Sequence, residues 1–147
     1  MKVDFLRHAQ SVFNAHLDSE KDCELTELGR EQAAALRGDY DVIICSTMRR
    51  ACQTFHFSHL KAGRVIYTDL CREKRQDICD YLPYEDETIK ETEDELAYRI
   101  KSFTYFVKSQ VSSYQTVLVV SHGDFIHTLG KKTQPYPKNA EIQSFEI

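Results

Sequence analysis

The segment VLVVSHGD, residues 117–124, joins a continuous apolar run to a polar end. Four aliphatic residues in a row are typical of a strand covered on both faces, and such strands form parallel sheets flanked by helices. Ligands of these sheets bind beyond the carboxyl ends of the strands. The segment therefore predicts an α/β fold and places His122 at the ligand-binding edge of the sheet.

Strand and helix patterns alternate along the rest of the chain. Apolar runs predict further strands over residues 3–6, 41–45, 64–67 and 141–147. Periodic apolar positions and capping residues predict helices over residues 26–36, 48–57, 92–111 and 125–129. The alternation predicts a three-layer α/β sandwich, with a mostly parallel central sheet flanked by helices and an antiparallel C-terminal edge strand. The chain of 147 residues fits a single domain, 1–147.

Local signals set the expected boundaries of these elements. Thr26 is expected to cap the first helix, with Leu28 on the apolar face of the helix and Gly38 as its stop. A turn is expected at residues 61–63, before the third strand. Residues 71–92 are charged and irregular, which predicts an excursion or lid and not a packed element.

The composition restricts the classes of function. The net charge of −4 and the pI of about 5.9 argue against a nucleic-acid-binding surface, which would be basic. No apolar run approaches the roughly 20 residues that cross a bilayer, and the N-terminus lacks the apolar region of a signal peptide. Five cysteines without a C-x-x-C pair favour a reduced, cytoplasmic protein with free thiols. We expect neither nucleic acid nor membrane as a partner, and the oligomeric state is left open.

Arginine and histidine residues follow three of the predicted strands. Arg7 and His8 come directly after the first strand, Arg50 follows the second, and His122 follows the last parallel strand. Because the carboxyl ends of parallel strands meet at one edge, these side chains are expected to converge. Two guanidinium groups and two imidazoles would repel one another unless an anion is bound, and arginine forks match phosphate oxygens. The pattern predicts a site for a tetrahedral dianion.

The nucleophile is identified by elimination. The sequence contains no G-x-x-x-x-G-K-[ST] phosphate loop, no cysteine followed six positions later by arginine, and no acidic pair near these residues at a metal-ligand spacing. An imidazole remains, and His8 can accept a phosphoryl group as a phosphoramidate. Glu73, after the third strand, is the candidate proton donor, with Asp77 and Asp80 as alternatives. This chemistry calls for neither a metal nor a cofactor.

Four motifs resemble those of a known family. LRHAQSVFN, residues 6–14, resembles the R-H-G-[EQ]-[ST]-x-x-N signature of the histidine phosphatase superfamily, the phosphoglycerate mutase-like proteins. LTELGREQA (25–33), STMRRACQT (46–54) and VVSHG (119–123) are similar to three further motifs, in the order of the family. The resemblance covers most of the chain.

The resemblance implies roles for eight residues. His8 would be the phosphohistidine residue, Glu73 the proton donor, and His122 the second catalytic histidine. The substrate-binding residues would be Arg7, Ser11, Asn14, Arg50 and Gly123. The chain departs from the family pattern at Ala9, usually glycine, and at Thr47, usually proline, and it lacks the Gly-rich stretch after the acid.

The expected function is a metal-independent phosphomonoesterase that works through a phosphohistidine intermediate on His8. Its substrate would be a small phosphorylated metabolite or a phosphorylated side chain. A phosphomutase is the alternative, because Lys74 and Arg75 could serve a bisphosphorylated substrate, although the R-H-Y-G-type segment of family mutases is absent. A non-enzymatic phosphate-binding module is a third hypothesis.

Overall fold

A five-stranded sheet forms the centre of the computed structural model, which describes residues 1–16 and 20–147. In chain order the elements are β1 (Lys2–Arg7), α1 (Glu27–Ala34), β2 (Arg37–Ser46), α2 (Arg49–Phe57), β3 (His59–Thr68), α3 (Glu93–Gln110), β4 (Val117–Ser121), α4 (Gly123–Leu129) and β5 (Ile142–Glu146). The strands lie in the order β3-β2-β4-β1-β5. β1 to β4 run parallel, and β5 pairs antiparallel with β1. The predicted α/β architecture with its antiparallel C-terminal strand is confirmed.

β4 lies in the middle of the sheet and is buried along its whole length. Val119 pairs with Phe5 of β1 on one side and with Ile44 of β2 on the other. Successive strand residues point to opposite faces, so two apolar layers form. One layer packs against Phe103 of α3, and the other packs against Ala51 of α2. Burial on both faces explains why these strands are continuous apolar runs in the sequence.

Threonine caps fix the starts of two helices. The Thr26 side chain accepts the Gly29 backbone N–H at 3.0 Å, and the Thr92 side chain accepts the Glu95 N–H at 3.1 Å. Both helix starts were predicted from the sequence. The expected apolar face of α1 was wrong, because Leu28 is 50% exposed and Gly29 is buried.

α1 packs closely against the loop that follows β1. A Cβ placed on Gly29 would lie 2.1 Å from the carbonyl oxygen of Gln10, so only glycine fits at this position. The Thr26 hydroxyl also donates to the Gln10 side-chain oxygen at 2.8 Å. This contact holds the loop that carries the residues after His8.

Two boundaries differ from the sequence prediction. α1 ends at Ala34, and Gly38 lies inside β2 with a φ of 154°. Residues 61–63 belong to β3 and form no turn. β3 pairs with β2 from its first residue to its last, and this pairing extends the strand through small and polar residues. Strand formation at such positions depends on the neighbouring strand more than on local propensity.

Residues 71–92 form a packed segment, so the expectation of an unpacked excursion was wrong. Arg72 and Tyr81 are buried, and two short 3₁₀ turns occur at Asp69–Cys71 and Ile78–Asp80. The Arg72 guanidinium donates to both carboxylate oxygens of Glu85, at 3.2 and 2.6 Å. These bonds close the segment on itself and fix it as one wall of the site described below.

The described residues contain no membrane-spanning helix, no disulfide and no cluster of metal ligands. None of their helices has the length and apolar character needed to cross a membrane. Their five cysteines are free thiols. No group of three or more His, Cys, Asp or Glu side chains among them is placed to hold a metal ion.

Candidate active site

A cavity of about 100 Å³ opens where the predicted residues converge. His8 follows β1, Arg50 lies in the first turn of α2, and Glu73 follows the 3₁₀ turn after β3. Side chains from each of these elements line the cavity. The parallel topology therefore brings together residues that lie far apart in the sequence, at the edge where ligands of such sheets bind.

The His8 ring is held in one tautomer. Its Nδ1 lies 2.6 Å from the carbonyl oxygen of Ala9, and because a carbonyl only accepts, Nδ1 carries the hydrogen. The lone pair is therefore on Nε2, which accepts the Arg50 Nε–H at 3.3 Å. Burial and the charges of Arg50 and Arg7 lower the pKa of His8 well below its usual value. His8 is thus neutral at physiological pH, with its unprotonated Nε2 directed at Arg50.

Each of the three nitrogens of the Arg50 guanidinium donates a hydrogen bond. Its Nη1 donates to the Cys79 carbonyl oxygen at 2.8 Å, and its Nη2 donates to Asp80 Oδ1 at 2.9 Å. Gln76 and Asp77 in turn donate their backbone N–H groups to Asp80 Oδ2, at 3.3 and 2.9 Å. The sequence argument expected repulsion among the cations unless an anion were bound. Asp80 supplies that negative charge from within the chain.

His122 lies behind His8, with the two ring centroids 5.2 Å apart. It is fully buried, and its Nε2 is 2.8 Å from Ser46 Oγ. Its Nδ1 has no hydrogen-bond partner among the described residues. Burial, Arg50 and His8 lower the pKa of His122, so the ring is neutral without a bound anion. A protonated His122 would therefore require a bound anion to be in place.

Glu73 is placed by the start of α4. Its Oε1 accepts the backbone N–H groups of Lys74 and Phe125 at 2.9 and 3.0 Å, and its Oε2 accepts that of Asp124 at 3.0 Å. Glu73 thereby caps a helix whose own N-cap side chain makes no such bond. Burial, with the charges of Asp124 and Asp80, raises the pKa of Glu73 to about 7 despite the three N–H bonds. Such a group can donate and accept a proton near neutral pH.

Ser11 and Asn14 line the cavity as a hydrogen-bonded pair. Asn14 Oδ1 accepts the Ser11 backbone N–H at 3.1 Å and the Ser11 hydroxyl at 2.9 Å. Asn139 donates its side-chain N–H to the same oxygen at 3.1 Å and also to the His8 carbonyl oxygen. Because Oδ1 is fully engaged, the Asn14 amide N–H₂ is the end of the side chain left for a ligand.

Arg7 and Gly123 meet at Tyr136. The Arg7 guanidinium lies 5.4 Å over the Tyr136 ring and donates to the Pro137 carbonyl oxygen at 2.9 Å. A Cβ on Gly123 would lie 2.2 Å from the Tyr136 hydroxyl, so glycine lets the aromatic ring approach. The Tyr136 hydroxyl donates to Asp124 at 2.8 Å. Gly123 therefore shapes the wall of the cavity by leaving space for the Tyr136 side chain.

The unusual Ala9 is accommodated away from the cavity. Its side chain packs with Leu25 and Ala33, and its backbone N–H donates to Thr54 Oγ1 at 2.9 Å. Thr54 is the last residue of the motif that carries Arg50. The methyl group thus joins the core beside α1, and the backbone at this position serves to orient His8.

Sequence reasoning missed several residues of the cavity. Asp80 was proposed only as an alternative acid, whereas it is the partner of Arg50. Tyr136 and Asp124 were given no role, yet both line the cavity. The only sequence signal for Asp124 was its position in the polar end of VLVVSHGD.

Three solved structures illustrate the similarity of the fold. The alpha-ribazole phosphatase from Shigella flexneri has a TM-score of 0.76 and 19% identity, with 100% of this chain and 91% of that chain covered. The phosphoserine phosphatase from Entamoeba histolytica, in complex with 3-phosphoglyceric acid, has a TM-score of 0.68 and 21% identity, with 99% and 90% covered. Mycobacterial glucosyl-3-phosphoglycerate phosphatase has a TM-score of 0.66 and 19% identity, with 97% and 90% covered.

The sequence itself identifies the family. A comparison with curated proteins found no match. The model of the histidine phosphatase superfamily, branch 1, matches residues 3–99, which is more than half of the chain. This match includes the motifs around His8 and Arg50 and agrees with the fold and with the convergence of those motifs at one cavity. The chain belongs to branch 1 of the histidine phosphatase superfamily.

Proposed function

We propose that this protein is a metal-independent phosphomonoesterase that forms a phosphohistidine at Nε2 of His8. The observation that carries the proposal is the tautomer of His8, because the Nδ1 bond to Ala9 leaves the lone pair on the nitrogen that faces Arg50. A neutral imidazole in this orientation can attack phosphorus without first losing a proton.

In the first half-reaction, Nε2 of His8 forms a bond to phosphorus while the ester P–O bond breaks. Arg50 and Arg7 stabilise the charge on the phosphoryl oxygens. His122, whose ring lies 5.2 Å from that of His8 and whose Nδ1 has no hydrogen-bond partner among the described residues, can contribute a further donor. The leaving alkoxide takes a proton from Glu73, whose pKa of about 7 leaves it substantially protonated near neutral pH.

In the second half-reaction, Glu73 acts as the base. The carboxylate left by the first step accepts a proton from a water molecule, whose oxygen attacks phosphorus as the N–P bond breaks. Inorganic phosphate leaves, and both His8 and Glu73 return to their starting protonation states. One carboxyl group near pKa 7 can serve both steps at the same pH.

The contacts of the basic residues favour the phosphatase over the phosphomutase. The Lys74 ammonium pairs with Glu93, and Arg75 Nε lies 3.5 Å from Glu85. Neither is among the described residues that line the cavity. A mutase needs to hold a bisphosphorylated intermediate, and these two cations are engaged elsewhere. The presence of His8 and Glu73 in bonded positions weighs against a module that only binds phosphate.

The fold relatives are consistent with the proposal. The three similar structures bear the names of phosphatases, and two of those names include a phosphorylated small molecule. Their sequence identities of 19–21% support a shared fold and do not transfer a substrate to this chain. A small phosphate ester is the substrate class that the 100 Å³ cavity fits, because a phosphoryl group fills most of that space.

The test is acid-labile labelling of His8. The protein is mixed in EDTA with ³²P-labelled aryl phosphate, quenched in alkali or acid, and compared with His8→Ala and with His56→Ala, whose histidine is exposed on α2. Alkali-stable, acid-labile label and phosphate release are expected in the wild type and in His56→Ala, and neither in His8→Ala. Turnover that survives His8→Ala would contradict the proposal, as would turnover that requires added metal.

A further inference from the structure

The cavity carries an excess of negative charge. Two arginines line it, against four carboxyl groups from Glu73, Asp77, Asp80 and Asp124. Asp80 is neutralised by Arg50 at 2.9 Å, and Glu73 is partly protonated near neutral pH, where its pKa of about 7 lies. Asp124 accepts only neutral donors, from Tyr136 and Gln76. A bound phosphate dianion therefore meets Arg7 and Arg50 in a setting that is otherwise anionic.

The acidic groups reach the mouth of the cavity. Asp77 and Tyr136 are both exposed to solvent while lining the cavity, so together they mark the side from which a substrate enters. The cavity of about 100 Å³ has room for a phosphoryl group and little more. The remainder of an ester bound to His8 must then extend past Asp77 to the solvent.

Three basic side chains of this wall lie beside carboxylates, and the ammonium of a fourth, Lys90, donates to the Gln76 carbonyl oxygen at 2.9 Å. Lys74 pairs with Glu93, and Arg72 is held by Glu85. Arg75 lies beside Glu85, and its backbone N–H donates to Glu91. None of these four cations is among the described residues that line the cavity, so an anionic leaving group inside it would meet carboxylates and no Lys or Arg besides Arg7 and Arg50.

Two aromatic side chains complete the lining. Phe13 and Tyr136 both border the cavity, and Tyr136 already attracts one cation, because the Arg7 guanidinium lies 5.4 Å over its ring. Aromatic rings next to carboxylates form a setting that favours ammonium groups. The lining therefore offers aromatic rings and carboxylates in addition to Arg7 and Arg50.

We propose that the leaving group of the substrate carries a positive charge, and that the substrate is a phosphate monoester of an amino alcohol. This inference rests on the proposed function, since it concerns the ester that His8 would cleave. The phosphoryl group binds at Arg7 and Arg50, and the ammonium group lies at the mouth near Asp77. A contact between exposed charges contributes about 0–1 kcal/mol, which corresponds to a change in binding of up to about fivefold.

Three esters with short, unbranched leaving groups test the charge of the leaving group. They are O-phosphoethanolamine, n-propyl phosphate and 3-phosphooxypropanoate, whose ends are cationic, neutral and anionic. Initial rates are measured in EDTA at one pH and low ionic strength. We expect kcat/KM to be about two- to fivefold higher for the cationic ester than for the neutral one, and lower still for the anionic one. Equal rates for the cationic and neutral esters would overturn the inference.

Asp77→Lys tests the residue at the mouth. It should lower kcat/KM for the cationic ester and raise it for the anionic one. The matched control is Asp39→Lys, which makes the same charge change at an exposed position near the amino end of β2. If the two variants change the relative kcat/KM values of the three esters equally, the effect comes from the net charge of the protein and the inference is wrong.

Binding separates this inference from the proposed function. Calorimetry of the three esters with the His8→Asn variant measures discrimination without turnover. Tighter binding of the cationic ester, with no labelling of the wild type at His8, would support the inference and remove the phosphatase proposal. Labelling of His8 with equal binding of all three esters would support the phosphatase proposal and contradict the inference about the leaving group.

Discussion

Arg50 and Asp80 form an ion pair inside the candidate active site, with Arg50 Nη2 2.9 Å from Asp80 Oδ1 and each side chain only 3% exposed. The third nitrogen of the same guanidinium, Nε, faces Nε2 of His8 at 3.3 Å. The arginine that the family motif assigns to phosphate is thus positioned by a carboxylate 30 residues away. This relationship leads to the first prediction.

Asp80→Ala should destabilise the protein strongly and make it responsive to phosphate. Removing one partner of a buried pair leaves an uncompensated charge, which costs about 3–5 kcal/mol in the free energy of unfolding. Inorganic phosphate can replace the lost carboxylate beside Arg50, so it should stabilise Asp80→Ala more than the wild type. Urea denaturation with and without phosphate measures both effects.

The control for this prediction is Glu24→Ala, which breaks the exposed Arg49–Glu24 pair. Exposed pairs contribute about 0–1 kcal/mol, so this variant should unfold almost as the wild type does. Equal phosphate stabilisation of Asp80→Ala and the wild type would show that Asp80 does not stand in for the anion.

Glu73→Gln should affect poor leaving groups far more than good ones. An alkyl phosphate needs a proton on its leaving alkoxide, whereas a nitrophenolate leaves without one, so only the alkyl ester depends on the acid. We expect phosphorylation of His8 to slow by about 10²–10⁴-fold with an alkyl phosphate and little with p-nitrophenyl phosphate. Rapid-quench measurement of the first turnover gives both rates.

The same variant should accumulate phosphoenzyme when p-nitrophenyl phosphate is the substrate. The neutral amide that replaces the carboxylate could not accept a proton from water in the second half-reaction, so hydrolysis of the intermediate would become slow. Asp77→Asn, which changes one of the two alternative acids, provides the comparison. Equal slowing of both esters by Glu73→Gln would assign the proton donor to another residue.

The rate of phosphorylation by an alkyl phosphate should fall as the pH rises through about 7. Burial raises the pKa of Glu73 to about 7, so the protonated form that donates is present below this pH and is lost above it. Burial lowers the pKa of His8 well below its usual value, so the nucleophile stays neutral on the acid side. Single-turnover rates with the alkyl phosphate, measured from about pH 5 to 9, should show this fall on the alkaline side. The rates with p-nitrophenyl phosphate should not show it. An alkaline limb shared by both esters would point to a group other than Glu73.

Gly29→Ala should distort the loop after β1 without touching the cavity directly. The new Cβ would lie 2.1 Å from the Gln10 carbonyl oxygen, and backbone atoms must move to relieve the contact. We expect a loss of about 1–3 kcal/mol in the free energy of unfolding, the range for overpacked positions. Denaturant unfolding of Gly29→Ala beside Glu31→Ala, an exposed change in the same helix, measures it. A loss no larger than that of Glu31→Ala would mean that the helix and loop can separate freely.

Much of the fold was readable from local patterns. The parallel strands around Val119 are continuous apolar runs because both of their faces are covered, and Thr26 and Thr92 mark the starts of two helices through a single side-chain bond each. Gly38 and residues 61–63 were misplaced because their strand character comes from pairing between β2 and β3. Residues 71–92 were misjudged because the bonds of Arg72 that fold them are not periodic.

The sequence by itself determined the α/β topology, the chemistry expected of His8 and the family, because apolar periodicity and linear motifs are properties of neighbouring residues. The tertiary structure alone decided the tautomer of His8, the pKa of Glu73 and the pairing of Arg50 with Asp80. Hydrogen bonding, burial and charge depend on distances between side chains that are far apart in the chain. Only the folded sheet brings the ends of its strands, and the wall after β3, to within those distances.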